Sequence, residues 1–494
     1  MGYDPTNIEN SSSDSSENNV EMYMGKQGEP ENGDKGEESS LMRTVSEYNP
    51  EAVETGEASV RAYEESKALE EGKFLPPPPP KYSIFSPELH TFRLQVLKKQ
   101  VVVILIFWVF ILSVWSIYWG SMYKRETRTV NLNILIGVED DPNAPISQAL
   151  VNASKQVPNS PTWQVRSGLT TEEYVQLVHD QEYWGAIYVT SNNVSSDIVS
   201  AFNNGKNVST ENMVQSYYET AKDPTTLQGV VEPILYRFES YFQRQLQQVT
   251  YPQIITNLSN EQFNSLRYTN ILTEVPVITY IDGRPIQSVA IGPLQVGLIY
   301  MIIITFFQFM WMTGINGMVA KKIRPMQYIV FQLFNSQLIF LFISLAFTCL
   351  NSAFQIKMNG TWSGGFGVFW MISFLTMSAV GGANHNVALI LTPIHAPLIG
   401  FWMLFFVMIN ISATFAPIPL CPEFFRFTYA MPIKNGYELM KICLYDTSHR
   451  HMGRYFGILI AWIAANNLLM PLCIMFFASR MKAKMLKADR EKNN

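Results

Sequence analysis

Six apolar stretches free of Asp, Glu, Lys and Arg punctuate the chain, at residues 101–119, 294–318, 328–350, 364–382, 398–416 and 455–478. A membrane-spanning helix needs about 20 predominantly apolar residues, because the hydrocarbon core of a bilayer is about 30 Å thick. The pattern therefore predicts six spans. The first is not a cleavable signal, since a long polar segment precedes it.

Positive charge in short flanks sets the orientation of such helices. Lys321, Lys322 and Arg324 join the second and third spans, and Arg480, Lys482, Lys484 and Lys487 follow the sixth. Both segments are expected in the cytosol. Around the first span the bias is balanced, Arg93, Lys98 and Lys99 against Lys124, Arg125 and Arg128. Counting back from the two clear loops puts both termini in the cytosol and residues 120–293 outside. Glycosylation sequons at Asn152, Asn193, Asn207, Asn257 and Asn359 all fall on the side predicted to be outer.

Between the first two spans the pattern changes to alternating strands and helices. Residues 129–137 read as a strand, 146–155 as a helix, 163–166 as a strand, and 172–181 as a helix capped by Thr171. Residues 184–189, 212–220 and 274–281 read as further strands. A long amphipathic helix over 224–249 places Val230, Ile234, Phe238 and Phe242 on one face. Such alternation predicts an α/β or α+β layer domain over 120–293. The fold class expected is an α-helical polytopic membrane protein of six spans, with that domain outside between spans 1 and 2.

Charge is segregated along the 494 residues. Residues 1–70 hold 17 acidic and 5 basic side chains, whereas the whole chain carries a net charge of −5. With few aliphatic residues, the acidic segment is expected to stay disordered in the cytosol. Ser46, three residues after Arg43, matches a basic-directed kinase pattern or arises by chance. Gly2 with Thr6 has myristoylation spacing, opposed by the bulky Tyr3 and Pro5. Residues 1–80 end in a proline run, 76–80, expected to be a stiff spacer before the membrane rather than a docking site for a proline-binding module. The basic stretch 479–494 closes the chain.

The chemistry on offer is sparse. No Gly-rich phosphate loop, nucleophile elbow or zinc-protease motif is present, so no catalytic residue, metal or cofactor is expected and the chain is not read as an enzyme. His179 is the only histidine of residues 120–293, read as an exposed or capped helix residue and not half of a catalytic pair, and Glu139, Asp140 and Asp141 read as a solvated strand end rather than a metal site. Of the four cysteines, Cys349 and Cys473 lie in apolar runs. Cys421 and Cys443 share one outer connection and either form a disulfide or remain two buried thiols. The spans carry amides where carriers coupled to ions need charge. Gln308, Asn316, Asn335, Asn466 and Asn467 either hydrogen-bond helix to helix or line a polar path. Gln332 and Asn410 belong to the same set. Residues 381–386, Gly-Gly-Ala-Asn-His-Asn, read as a cytosolic turn; as a broken helix end they make His385 the nearest titratable group. In the connection 417–454, aromatics such as Phe424, Phe425, Phe427 and Tyr429 interleave with Arg426, Lys434 and Lys441. That mixture predicts an amphipathic helical hairpin, re-entrant or surface-lying, on the outer leaflet.

A strand-led domain between a lone first span and a five-span bundle looks like the type-2 permease architecture of ABC transporters. Residues 132–140, 184–189, 288–297, 381–386 and 432–438 more closely resemble the fungal nitrosoguanidine-resistance membrane protein family, which is related to the bacterial phage-infection-protein group. The likeness covers roughly residues 80–480. It implies a plasma-membrane protein affecting resistance to toxic compounds and supplies no catalytic residues. Expected partners are the lipid bilayer and either another copy of the chain or a separate ATPase or transporter, with no nucleic acid. Permease-like movement of amphipathic drugs or lipids is one reading, and a non-transporting regulator or scaffold is the other.

Overall fold

A computed structural model describes residues 82–493. The acidic segment, Ser46, Gly2 and the proline run at 76–80 lie outside the described residues. Among the described residues, five helices are long and apolar enough to cross a membrane. They are α1 (Pro87–Met122), α7 (Ser288–Ala320), α8 (Pro325–Ala353), α9 (Gly365–Leu391) and α12 (Met452–Asn493). The labels α2 to α6 belong to the intervening domain. The α1 helix turns most of its apolar side chains outward, Val101 to Trp108 and Leu112 among them, as a lipid-facing span does. At the centre sits α9, packed against α7, α8 and α12.

The fifth expected span is helical only over Leu398–Ile411 (α10), 14 residues, about 21 Å at 1.5 Å per residue. In its last turn the Asn410 side chain, and just beyond it the Thr414 hydroxyl, turn back onto main-chain carbonyls of the preceding turn. Pro417 and Pro419 then prevent helix continuation.

In sequence between α1 and α7 lies a five-stranded mixed sheet in the order β2-β1-β3-β4-β5. Its strands are β1 (Asn133–Gly137), β2 (Thr162–Arg166), β3 (Gly185–Val189), β4 (Val214–Tyr218) and β5 (Ile278–Asp282). Only the β3–β4 pair is antiparallel. Alternate side chains reach opposite faces. Ile134, Ile136 and Ile187 join a core with α2 (Pro145–Ser154), α4 (Val194–Asn204) and α5, the helical run 224–256. Leu135, Ala186 and Tyr188 pack on the other face against Tyr174 and Val178 of α3 (Thr171–His179). Ile234, Phe238 and Phe242 are buried on α5, as their spacing predicts. A short helix, α6 (Asn260–Ser265), precedes β5. Both α4 and α6 went unpredicted; α4 carries its signal in Val194, Ile198, Ala201 and Phe202, all buried on one face of a Ser/Asn-rich segment.

Three expectations are corrected. Residues 381–386 are no turn: they lie inside the continuous α9, where Gly381 and Gly382 leave room for Phe340 of α8 and Asn466 of α12. Of the two forms expected for it, the connection 417–454 does not take the surface-lying hairpin. Its helix α11 (Pro432–Tyr445) is buried over nearly all its residues against α9 and α12, with Lys434 and Lys441 inside rather than at headgroups. Glu139 is not solvated: its carboxylate is buried and accepts hydrogen bonds from Ser195 N at 2.7 Å and the hydroxyls of Ser147 and Ser195. It thereby ties β1 to the starts of α2 and α4.

Candidate functional site

Two sets of buried polar groups stand out, one within the helical bundle and one where the sheet meets it. In the bundle, α8 turns Gln332, Ser336, Ser344, Thr348 and Asn351 inward, mostly at four-residue intervals along one face. Hydroxyls on this face bond to their own helix, Ser336 to Leu333 O and Thr348 to Ser344 O. On α9, Asn384 donates to Ile302 O of α7 at 3.1 Å and accepts from Trp402 Nε1 of α10 at 3.1 Å. Asn386 donates to Asn466 O at 2.9 Å, and Asn466 returns a bond to Ala379 O at 2.9 Å. Amides thus stitch α7, α9, α10 and α12 together.

The set is not closed. Gln308 Oε1, Asn316 Oδ1, Gln332 Oε1, Ser373 Oγ, Asn386 Oδ1 and both ring nitrogens of His385 are buried without a protein partner. His385 is 3% exposed and lies against Phe309, ring centroids 5.0 Å apart. A buried polar group left unpaired costs about 1–3 kcal/mol. So many in one bundle are not explained by interhelical hydrogen bonding alone. Of the seven amides singled out from sequence, Gln308, Asn316, Gln332, Asn410 and Asn466 are buried, while Asn335 and Asn467 are half-buried. Asn467 accepts from Gln337 at 3.4 Å.

The second set is ionic. On α11, Lys434, Glu438 and Lys441 stack at i, i+4 and i+7, with Glu438 bonded to Lys434 at 2.8 Å and to Lys441 at 2.9 Å. Burial opposes the charged carboxylate, but the two ammonium groups outweigh it and hold Glu438 down at about 2. Burial lowers Lys441, against Glu438. Lys434 ends raised, since Glu438 and Asp223 overcome its burial. Lys441 also donates to Lys222 O at 2.5 Å, and Lys222 donates to Tyr183 O at 2.7 Å beneath the Trp184 ring. Burial drives Lys222 to about 7, Glu219 opposing and Lys441 reinforcing. Glu219 in turn binds Tyr217 Oη and His179 Nδ1, each at 3.0 Å, and this hydrogen bond raises His179 against its partial burial. His179 is therefore a partnered residue at the end of α3, held by Glu219. His179 also lines an open cleft of about 500 Å³ with Gln176, Asp180, Glu182, His449 and Arg450. Ion pairs Arg284–Asp446 at 3.0 Å and Arg450–Glu182 at 3.1 Å tie the sheet to the segment after α11. The sequence signal for this set was the charge spacing 434, 438, 441 on one helix face.

The structure does not bring Cys421 and Cys443 together. Both are free, buried thiols in separate clusters, Cys421 with Ala413, Ala416 and Phe425, Cys443 beside the carbonyls of Met358 and Gly365. Burial pushes Cys421 up to about 11 and Cys443 up to about 12. Among the sequons, Asn193, Asn207, Asn257 and Asn359 are exposed and Asn152 is half-buried on α2. Ser195 of the Asn193 sequon is already bound to Glu139. Among the described residues, no group of three or more His, Cys, Asp or Glu is placed to hold a metal ion.

A family described as "Protein of unknown function (DUF3533)" matches residues 103–468. The chain is 29% identical over 443 residues to the uncharacterized endoplasmic reticulum membrane protein YJR015W of Saccharomyces cerevisiae, covering 84% of this chain and 87% of that one. No solved structure matches. Neither description speaks of drug resistance or transport. Together with the apolar helices they establish a multi-pass membrane protein related to a fungal one.

Proposed function

As the chain belongs to the DUF3533 family of proteins of unknown function, we propose that it is permease-like and moves, or helps to move, amphipathic drugs or lipids across a bilayer. The carrying observation is the set of partnerless amide and imidazole groups inside the bundle, around His385 and Asn386. Uncharged donors and acceptors of this kind suit a solute with a polar head and an apolar body, or the water that accompanies it. No ion-coupling carboxylate lies in the spans, so movement is passive or driven by a separate ATPase. The nitrosoguanidine-resistance resemblance supports a role in tolerance of toxic compounds, and the reading is of a non-enzyme.

For topology, α10 together with residues 412–416 completes a sixth crossing, which keeps both termini cytosolic and the sheet domain outside. That placement makes the exposed sequons usable. The resemblance favours the plasma membrane, whereas the yeast relative's name favours the endoplasmic reticulum; a fluorescent fusion decides. Purified protein in liposomes, assayed with a fluorescent lipid and a cationic drug, tests the activity. Flux of either above protein-free vesicles supports the proposal. No flux of either, with or without candidate ATPases, removes it. The acidic segment keeps a second reading open, a regulator recruited through its tail. Deleting residues 1–70 should then abolish resistance, whereas a permease keeps most of it.

A further inference from the structure

A second, smaller cavity of about 320 Å³ lies just beyond the end of α1, lined by Arg125, Glu126, Thr129, Val230, Ile234 and Arg237 among others. Met122 ends the lipid-facing span, so Arg125 stands three residues past it, at the boundary of the membrane. The turn that carries it, Arg125–Asn131, is held rigidly. Lys124 enters at a left-handed φ of 52°; Thr129 Oγ1 donates to Asn159 O at 2.8 Å, and Asn131 Nδ2 donates to Pro419 O at 2.9 Å.

Within this frame the Arg125 guanidinium is poorly matched. Its Nε and Nη2 are shut off from solvent and have no hydrogen-bond partner. A guanidinium stays charged in proteins and offers five donors in a fork suited to phosphate and carboxylate. Arg237 adds a second cation on the same cavity, and its Nε bonds only the carbonyl of Pro233 on its own helix, at 3.2 Å. Val230 and Ile234 supply an apolar wall, and Glu126 one carboxylate.

We infer that this cavity binds a phosphate ester, with Arg125 and Arg237 on the phosphate and the apolar wall against the carbon skeleton. The boundary position suits a phospholipid headgroup, whose ammonium, where present, faces Glu126; a soluble phosphate ester presents the same anion. The site is separate from the bundle interior and holds whether or not the chain transports anything.

Native mass spectrometry of the full-length protein in detergent tests it. The probes are short-chain phosphatidylethanolamine and phosphatidylserine, the phosphate-free diacylglycerol, and, separately, inorganic phosphate and glycerophosphate. Expected is saturable binding of one phosphate-bearing probe, weakened at least tenfold by Arg125→Gln and by Arg237→Gln. Arg125→Lys should restore part of it, and Arg267→Gln, outside the cavity, should change nothing. Binding of the phospholipids but not the soluble esters assigns the site to lipid; the reverse supports the site and assigns it to a soluble ester. Diacylglycerol binding as well as the phospholipids, or monodisperse arginine variants that bind like the parent, overturns the inference.

Discussion

The Nζ of Lys441, on the helix before the last span, lies 2.5 Å from the carbonyl oxygen of Lys222, 219 residues earlier in the sheet domain. This contact joins a membrane-side helix to a strand-side loop through a buried cation, which Glu438 holds in place. Removing one member of a buried ion pair typically costs about 3–5 kcal/mol, because the partner's charge is left unpaired. Glu438→Gln should therefore destabilise strongly, by more than Lys441→Met. A double variant, Glu438→Gln with Lys441→Met, should recover part of the loss. Thermal unfolding followed by size-exclusion in detergent measures this, and equal stability of Glu438→Gln and parent would refute the pairing.

Two groups at this junction respond to pH with opposite sign. Lys222 is pushed to about 7 in the folded chain, against an ordinary 10.5. Between those values the unfolded chain holds a proton that the folded chain has released, so stability rises with pH across that window. His179 is raised above 6.5 by Glu219. Its stabilisation is complete below 6.5 and is lost as pH climbs through the folded value. Lys222→Met should flatten the rise above about pH 7, and His179→Gln should remove the loss that starts near 6.5. Unfolding midpoints measured from pH 5 to 10 separate the two.

The aromatic run before α11 divides sharply. Phe425 is 3% exposed and packs with Cys421, Ala413 and Ala416, whereas Phe424 is 70% exposed. Truncating a buried Phe costs about 3–5 kcal/mol. Phe425→Ser should accordingly abolish surface or organelle expression in large part, while Phe424→Ser should fold normally and at most loosen the hold on lipid. Comparable expression of the two variants would contradict this placement.

Whether α10 crosses the membrane decides the topology. With five crossings the two ends lie on opposite sides; with six they share one. Fourteen helical residues cover about 21 Å of a core about 30 Å thick. Crossing therefore requires the non-helical residues 412–416 to complete the path, with Ser412 and Thr414 buried against protein. Protease protection of tags at both ends is expected to find both on the cytosolic face. Opposite faces would reduce the count to five.

What the sequence disclosed follows from which forces are local. Long apolar runs and strand alternation are one-dimensional signals, so α1, α7, α8, α12 and β1 to β5 were readable, and α3 shows the Thr170–Glu173 capping box one residue from the cap expected. The burial of α11 was not readable. Its charges pair with one another at helical spacing, so a charged segment can enter a protein interior while looking like a surface one. The turn assigned to residues 381–386 failed for a related reason. Two glycines and two asparagines signal a break in isolation, but inside the bundle Phe340 and Asn466 occupy the space that the glycines leave. The cavity at Arg125 draws on chain segments that no local pattern connects.

His385 offers the clearest separation of stability from function. Both ring nitrogens are buried without partners, so the imidazole brings a desolvation cost that no protein hydrogen bond offsets. Phe309 lies beside it, and an apolar ring of similar width fits the same contact. His385→Phe should therefore hold or raise thermal stability, by about 1–2 kcal/mol. Gly382→Leu, which forces a side chain into Asn466, should lower it by about 1–3 kcal/mol or more. If the bundle interior carries a polar solute, His385→Phe should at the same time reduce flux in liposomes several-fold. A variant more stable and less active than the parent marks a group kept for function. A variant that is simply less stable, with flux per folded molecule unchanged, would show the imidazole to be structural and would remove His385 from the proposed path.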